Sequence, residues 1–395
     1  MKHLNITTEA QLRDYCARLA GVKQIAFDTE FVSEDSYRPQ LCLVQVAVDG
    51  ELAVIDPLSA GDMRPFWEAV AAPGHETVVH AGRQELEFCL HSVGRGPQQL
   101  FDVQIAAGLI GLEYPASYST LTYKILGETA QKGETRTDWR RRPLSGPQID
   151  YALADVTHLR QLRDSLKQRL ERLNRGVWFD TEMDAWQADV KGARQSERWR
   201  KVAGSSGMST RGLAIVRELW LWRDAEAERR DCPPRRVLRD DLLAEIAKRR
   251  SADPKQIRAV RGMERGDIVR AIPALAKAVE RALALPEDQC PKVVRTDSNS
   301  HLTMLGQFLS SALSSICRQA QVAVSMVGTP NDVRDLVAYR LAAGEGRPRE
   351  VPLLAQGWRA EVVGHLLEDL LAGKVSIRIQ DPASDQPLAF EPRQQ

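Results

Sequence analysis

An α/β domain with a mixed sheet, followed by an all-helical domain and a smaller, mostly helical C-terminal domain, is the architecture this sequence predicts. Three observations predict it. Four β-rich runs, separated by Gly, Pro and Asp, lie within the first 81 residues. After Ala81 the apolar spacing changes to that of helices. Beyond a GSSG segment at Gly204–Gly207 the chain offers amphipathic helical stripes and only one late alternating stretch. A length of 395 residues supports two or three domains at roughly 100 to 200 residues each.

The β-rich runs are QIAFDTEF (Gln24 to Phe31), LCLVQVAV (Leu41 to Val48), LAVID (Leu52 to Asp56) and TVVHA (Thr77 to Ala81). The first three are closely spaced and predict a meander. Leu86, Leu90 and Val93 then share one helical face, and a second helix is expected over about Val103 to Leu112. From the Ser145 cap, with Pro147 in the first turn, Ile149, Ala152, Val156, Leu159, Leu162 and Leu166 make one stripe, which predicts a single long helix. The first domain is expected over residues 1–180, with a basic connector and flexible joint over 181–207.

The helical domain is expected over residues 208–290, on stripes such as Leu213, Val216, Leu219 and Trp220. It holds 18 Lys plus Arg against 14 Asp plus Glu, a modest excess of basic charge. A polar joint, PKVVRTDSNS (Pro291 to Ser300), precedes the last domain, 300–395, whose helix from Met304 to about Val324 is followed later by the strand-like VSIRIQD (Val375 to Asp381).

Composition narrows the function. Apolar residues at 43% and charged residues at 27% exclude a disordered or fibrous chain. A net charge of +1 leaves any polyanion binding to local patches. Six cysteines without a CxxC pair argue against a disulfide framework or zinc cluster and predict a reducing compartment. The N-terminal MKHLNITTEAQLRDY lacks a signal-like apolar stretch, so a cytoplasmic protein is expected, without membrane partners.

Asp28 and Glu30 lie two apart on one strand, hence on one face. Paired carboxylates repel unless a cation lies between them, which makes a Mg²⁺ or Mn²⁺ site the natural compensation; a solvated strand end is the structural alternative. Tyr151 and Asp155, four apart on the predicted helix, present a phenol and a carboxylate together.

Taken with FDTEF at Phe27 to Phe31, VVHAGRQELEF at Val78 to Phe88, RTDWRRRPLS at Arg136 to Ser145 and YALADV at Tyr151 to Val156, this pattern resembles the ribonuclease D family, in the tyrosine-bearing branch of the DEDD 3′ exonucleases. The likeness spans the first 180 residues, and the helical block resembles the HRDC domain that follows in that family. It implies a ribonuclease H-like fold and a 3′ to 5′ exoribonuclease that releases nucleoside 5′-monophosphates from single-stranded RNA 3′ ends. Transfer RNA precursors are the implied partners; no protein partner follows. It also implies two divalent ions, Mg²⁺ or Mn²⁺. Asp28 would bridge both, Glu30 and Asp155 would complete the shell of the first, and Tyr151 would hold the attacking water.

The chain departs from the pattern at Glu85, where the family usually has Asp. The charge is kept, but the acid reaches about 1.5 Å further. Glu85 is expected to serve the second ion, with Glu87 the nearby alternative, and Asp102 is expected to cap a helix. Candidate substrate contacts are Phe31, His80, Gln45, Trp139 and Arg140. Phe31 could stack on a base or simply fill the strand core, and Gln45 could reach the sugar edge. Trp139 with Arg140 to Arg142 could stack and bind phosphate, or Trp139 could pack beneath the helix. Arg235, Arg236, Arg239 and Lys248 to Arg250 are further phosphate candidates beside acidic neighbours. A DNA-directed exonuclease and a non-catalytic RNA-binding scaffold are the competing functions.

Overall fold

The computed structural model describes residues 2–129, 137–192, 198–292, 300–344 and 350–393. Arg136 of the motif before the tyrosine helix, and the joint at 293–299, lie outside them.

The chain begins with β1 (Leu4–Ile6) and α1 (Glu9–Leu19), then runs through β2 (Gln24–Val32), β3 (Gln40–Val48) and β4 (Glu51–Ile55). Helices α2 (Pro57–Ala60) and α3 (Arg64–Val70) precede β5 (Glu76–Val79), α4 (Arg83–Val93), β6 (Leu100–Asp102), α5 (Val103–Leu109) and α6 (Tyr118–Leu126). The sheet order is β1-β4-β3-β2-β5-β6. The meander β2-β3-β4 is antiparallel, while β1, β5 and β6 join parallel to their neighbours, so the sheet is mixed as expected.

The stripe from Ser145 forms two helices rather than one. α7 (Gly146–Thr157) ends at His158 and α8 (Leu159–Arg172) begins directly after it, with the backbone N–H of His158 donating to the Tyr118 hydroxyl at 3.0 Å. The apolar stripe runs through the break because Val156, Leu159 and Leu162 are all buried on either side of it. No Gly or Pro marks the position, so local propensity gave no warning. Leu162, Leu166 and Leu170 anchor α8 in the core.

Residues 176–192 form α9 (Gly176–Gly192), where a connector was expected from 181. Phe179, Met183 and Val190 are buried at helical spacing against the first domain. The GSSG segment is folded too. A short 3₁₀ turn (Arg198–Lys201) places Trp199 and Val202 in the second core, and Ser205 is buried with its hydroxyl donating to the Val202 carbonyl.

That second core is all-helical, built by α10 (Thr210–Arg229), α11 (Pro234–Val237), α12 (Asp240–Arg249), α13 (Pro254–Arg258) and α14 (Gly266–Ala284). The loop between β2 and β3 ties it to the sheet. Tyr37 Oη donates to Asp224 on α10 at 2.9 Å, Arg38 pairs with Glu228, and Asp35 receives both Arg140 and Arg236.

The C-terminal region comprises α15 (Ser300–Gln319), α16 (Val324–Val327), α17 (Pro330–Gly344), α18 (Gly357–Arg359), a π turn (Ala360–Gly364), α19 (His365–Leu371) and the hairpin β7 (Val375–Ile379) with β8 (Leu388–Pro392). It shares one continuous apolar core with the first domain. Trp358 stacks on Trp178 of α9 with ring centroids 5.1 Å apart, and its indole N–H donates to Glu182, which also pairs with Arg359 at 2.6 Å. The Gly357-Trp358-Arg359 segment therefore holds the C-terminal region onto α9. No helix among the described residues is long and apolar enough to cross a membrane.

Candidate active site

β2 is an inner strand, and its pleat sends Asp28 and Glu30 to one face while Thr29 is buried on the other. Asp28 lies directly opposite Gln45 of β3. The register slips between Glu30 and Phe31, a bulge that ends regular pairing just beyond the two acids.

α7 crosses the sheet on the acid-bearing side, seated by Ala152 and Leu153 against Cys42, Leu43 and Val54. Its start is fixed by a capping box, in which Ser145 accepts from the Gln148 N–H and Gln148 returns the contact. Tyr151 and Asp155 stand on neighbouring turns, and the Tyr151 hydroxyl bonds to the Asp155 carboxylate. The Trp139 ring backs the Tyr151 ring at 6.3 Å.

Glu85 is in the first turn of α4 and is buried. It accepts from the Thr29 hydroxyl at 2.5 Å. α4 can start so close to the sheet because Gly82 has no side chain, since a Cβ there would lie 2.4 Å from Val79 Cγ2. Asp102 caps α5 through the Gln104 N–H, as expected, and additionally accepts from the Ala81 and Gly82 N–H groups at 3.1 and 2.9 Å. It thereby fixes the turn into α4 with Ala81 in a left-handed conformation. Thr29 and the second role of Asp102 were missed by sequence reasoning. Thr29 sits inside the DTE motif and its type gave a usable signal, but the tie from Asp102 is tertiary and had none.

Four carboxylates thus share one region short of positive charge. Burial, then Glu85, Asp155 and Glu30, push Asp28 well above the usual carboxylate range. Burial and the same neighbours raise Glu30 to about 8. Burial raises Glu85 to about 7 against the opposing Thr29 bond, and Asp155 to about 6 against the Tyr151 bond. Tyr151 is raised to about 12, first by burial and then by Asp155, Glu30 and Asp28.

An oxygen-only donor set of this kind fits a hard divalent cation. The buried Oε1 of Gln45, whose amide nitrogen holds Asp28, also has no hydrogen-bond partner. Among the described residues no three or more His, Cys, Asp or Glu side chains are grouped closely enough, as they stand, to hold a metal ion.

The remaining candidates fall into different places. Gln45 is fully buried and donates to Asp28 Oδ2 at 3.0 Å; it is a support for that acid and cannot reach a sugar. Trp139, 6% exposed, packs beneath α7 and offers no stacking platform. Arg142 is taken up by both oxygens of Asp56 and the Cys42 carbonyl, and Arg140 pairs with Asp138 and Asp35. His80 is half-buried, with Nε2 at 2.9 Å from the Ala116 carbonyl and its ring edge-on to Tyr118. Phe31 is half-buried beside Glu30 and meets Phe88 edge to face at 6.0 Å. Phe88 in turn lines a cleft of about 570 Å³ between α4 and α10. In the helical domain Arg235, Arg236, Arg239 and Arg249 each meet a carboxylate.

Comparison with known proteins gives a consistent picture. Residues 4–171 match the 3′-5′ exonuclease family, and residues 212–279 match the HRDC domain. The chain is 33% identical over 385 residues to a ribonuclease D of Nitrobacter hamburgensis, covering 95% of this chain and 97% of that protein. It is 34% identical over 390 residues to a ribonuclease D of Zymomonas mobilis, covering 96% of each. Among solved structures it is similar to Escherichia coli RNase D, described as an exoribonuclease involved in structured RNA processing. That likeness has a TM-score of 0.77 at 28% identity, covering 94% of this chain and 99% of that one.

Proposed function

Because the chain belongs to the ribonuclease D family and is a 3′-5′ exoribonuclease, we propose that it trims single-stranded 3′ ends of structured RNAs by divalent-ion-dependent hydrolysis at the Asp28 cluster. The observation that carries this reading is the convergence of Asp28, Glu30, Glu85 and Asp155, each held above its ordinary pKa, beside the Tyr151 hydroxyl.

Asp28, Glu30 and Asp155 would hold a first Mg²⁺ or Mn²⁺, and Asp28 with Glu85 a second. When bound, such ions supply charge neutralisation and Lewis-acid polarisation of the scissile phosphate. The chain's own residues do the rest. Gln45 holds the Asp28 carboxylate in one rotamer, and Thr29 does the same for Glu85. Tyr151, raised to about 12, keeps its proton at neutral pH, so its hydroxyl orients water rather than deprotonating it. Water attacks the phosphorus of the last phosphodiester, the P–O3′ bond breaks, and a nucleoside 5′-monophosphate leaves while the shortened RNA regains a 3′-hydroxyl. Phe31, beside Glu30, would meet the terminal base.

Transfer RNA precursors are the substrates we favour, in keeping with the structured RNA processing named for the E. coli relative. The helical domain, an HRDC match tied to the β2–β3 loop, would hold the RNA body. Six free cysteines agree with a reducing compartment, the cytoplasm.

The test compares 5′-labelled RNA and DNA of one sequence, each a stem with a single-stranded 3′ tail. With Mg²⁺ or Mn²⁺ the RNA is expected to give a ladder shortened from the 3′ end, lost in chelator, with DNA cut far more slowly. Equal rates on DNA would favour a DNA-directed enzyme. Binding without turnover under either ion would overturn the reading in favour of a scaffold.

A further inference from the structure

A cavity of about 420 Å³ lies at the seam between the first domain and the C-terminal region. Arg169 and Arg172, in the last turn of α8, and Arg318, in the last turn of α15, all line it. Among the described residues no Asp or Glu lines it. Arg318 donates to the backbone carbonyl of Asp385, and among the described residues none of the three arginines has an ion-pair partner. The cleft beside α10 differs, since there Arg83 pairs with Asp189, and Arg223 and Arg235 pair with Asp240.

Arginines near helix C-termini complement the helix dipole, so the magnitudes decide. Two helix ends contribute about −0.5 charge each. Against three guanidinium groups about two positive charges are left over. The cavity wall adds no counter-charge. Arg175, 6% exposed, donates to the carbonyls of Leu109, Ala320 and Gln321, so these oxygens are already engaged. Arg175 has no carboxylate partner either, and burial lowers its pKa. The wall is also closely packed at Gly111. Gly111, with φ of +87°, packs so closely on Gln321 that a Cβ would lie 2.9 Å from its carbonyl oxygen.

We propose that this cavity is a phosphate-binding site, distinct from the catalytic acids, that takes the oxyanion of an RNA backbone or of a free nucleotide. Guanidinium groups are suited to bidentate phosphate contact. Arg169 stands eleven residues (169 minus 158) beyond the break at His158 that separates α8 from Asp155 on α7, about 16 Å along α8 at 1.5 Å per residue. A phosphate bound there belongs to the body of the RNA or to a separate ligand, and not to the bond being cut. The RNA source rests on the exoribonuclease reading; the nucleotide source does not.

The full-length protein and its Arg169→Gln/Arg172→Gln variant are titrated with pyrophosphate in chelator. Their affinity for a stem-loop RNA with a 3′ tail is measured across salt concentrations. Saturable pyrophosphate binding in the wild type, abolished in the variant, is expected. If the source is RNA, the variant's slope of log K against log salt falls by about 2, since each duplex phosphate contact contributes about 0.9. If the source is a free nucleotide, pyrophosphate binding is lost and the RNA slope is unchanged. Hydrolysis of a short single-stranded oligoribonucleotide stays at the wild-type rate in both cases, so its failure in the wild type would count against the catalytic reading alone. The proposal is overturned if wild type binds no pyrophosphate, or if a folded variant keeps both wild-type pyrophosphate affinity and RNA slope. Arg318→Gln, on the opposite wall, provides the same test should the double variant fail to fold.

Discussion

Asp28→Asn is expected to lower kcat/KM on a single-stranded 3′ tail by at least about 10³-fold while leaving the protein folded. Removing the charge that the other three acids share forfeits several kcal/mol of transition-state stabilisation, at about 1.36 kcal/mol per tenfold. The side chain keeps its shape, and its remaining carbonyl oxygen can still accept from Gln45 Nε2. Stability should not suffer. An acid whose folded pKa lies above its unfolded value costs stability once pH exceeds the unfolded value, and Asp28 is such an acid. At neutral pH without added ions the Asn variant should melt at or above the wild-type temperature. Activity by gel and melting by circular dichroism check both halves. Lost activity with a lowered melting temperature would instead point to a structural role.

Tyr151→Phe should lower kcat by about 10²-fold with little change in KM, the low end of what a positioned proton donor or acceptor contributes. The ring remains, so packing against Trp139 remains. Only the hydroxyl and its bond to Asp155 are removed. With the phenol raised to about 12, the wild-type pH–rate profile should show no ionisation of Tyr151 up to pH 9. Single-turnover kinetics at saturating RNA read the effect directly. A rise in KM at constant kcat would move Tyr151 from water positioning to substrate binding.

Of the four clustered acids, Asp28, Glu30 and Asp155 were legible as candidates in the sequence because they lie in short local patterns. A DTE inside an apolar run fixes two carboxylates on one face of a strand, and YxxxD fixes a phenol and a carboxylate on one face of a helix. The paired strands and the mixed sheet followed from the same local periodicity. The first strand and helix were overlooked, although Thr8 and Gln11 form the capping box that α1 uses. The aromatic stripe of α9 was likewise readable at Phe179, Met183, Trp186 and Val190, and was obscured by the charged residues around it. Other features had no local signature. The break at His158 depends on the Tyr118 hydroxyl, and Gln45 turned inward because Asp28 is its cross-strand partner. Trp139 read as a stacking candidate from its arginine neighbours, yet Arg140 and Arg142 are paired with acids from distant segments, Asp35 and Asp56. Glu85 could be seen as an acid in an unusual place, but its anchor on Thr29 is a tertiary contact.

The central claim is that Asp28, Glu30, Glu85 and Asp155 form one divalent-ion site, and calorimetric titration with Mn²⁺ tests it most directly. Wild type should bind saturably, and repeating the titration in buffers of different ionisation enthalpy should show protons released at pH 7. Burial with repulsion from Asp155 and Glu85 holds Glu30 near 8, and burial holds Glu85 near 7, so an ion must displace protons to occupy the site. Asp28→Asn should lose that binding. Saturable binding that persists unchanged in Asp28→Asn, or no binding by the wild type, would contradict the account.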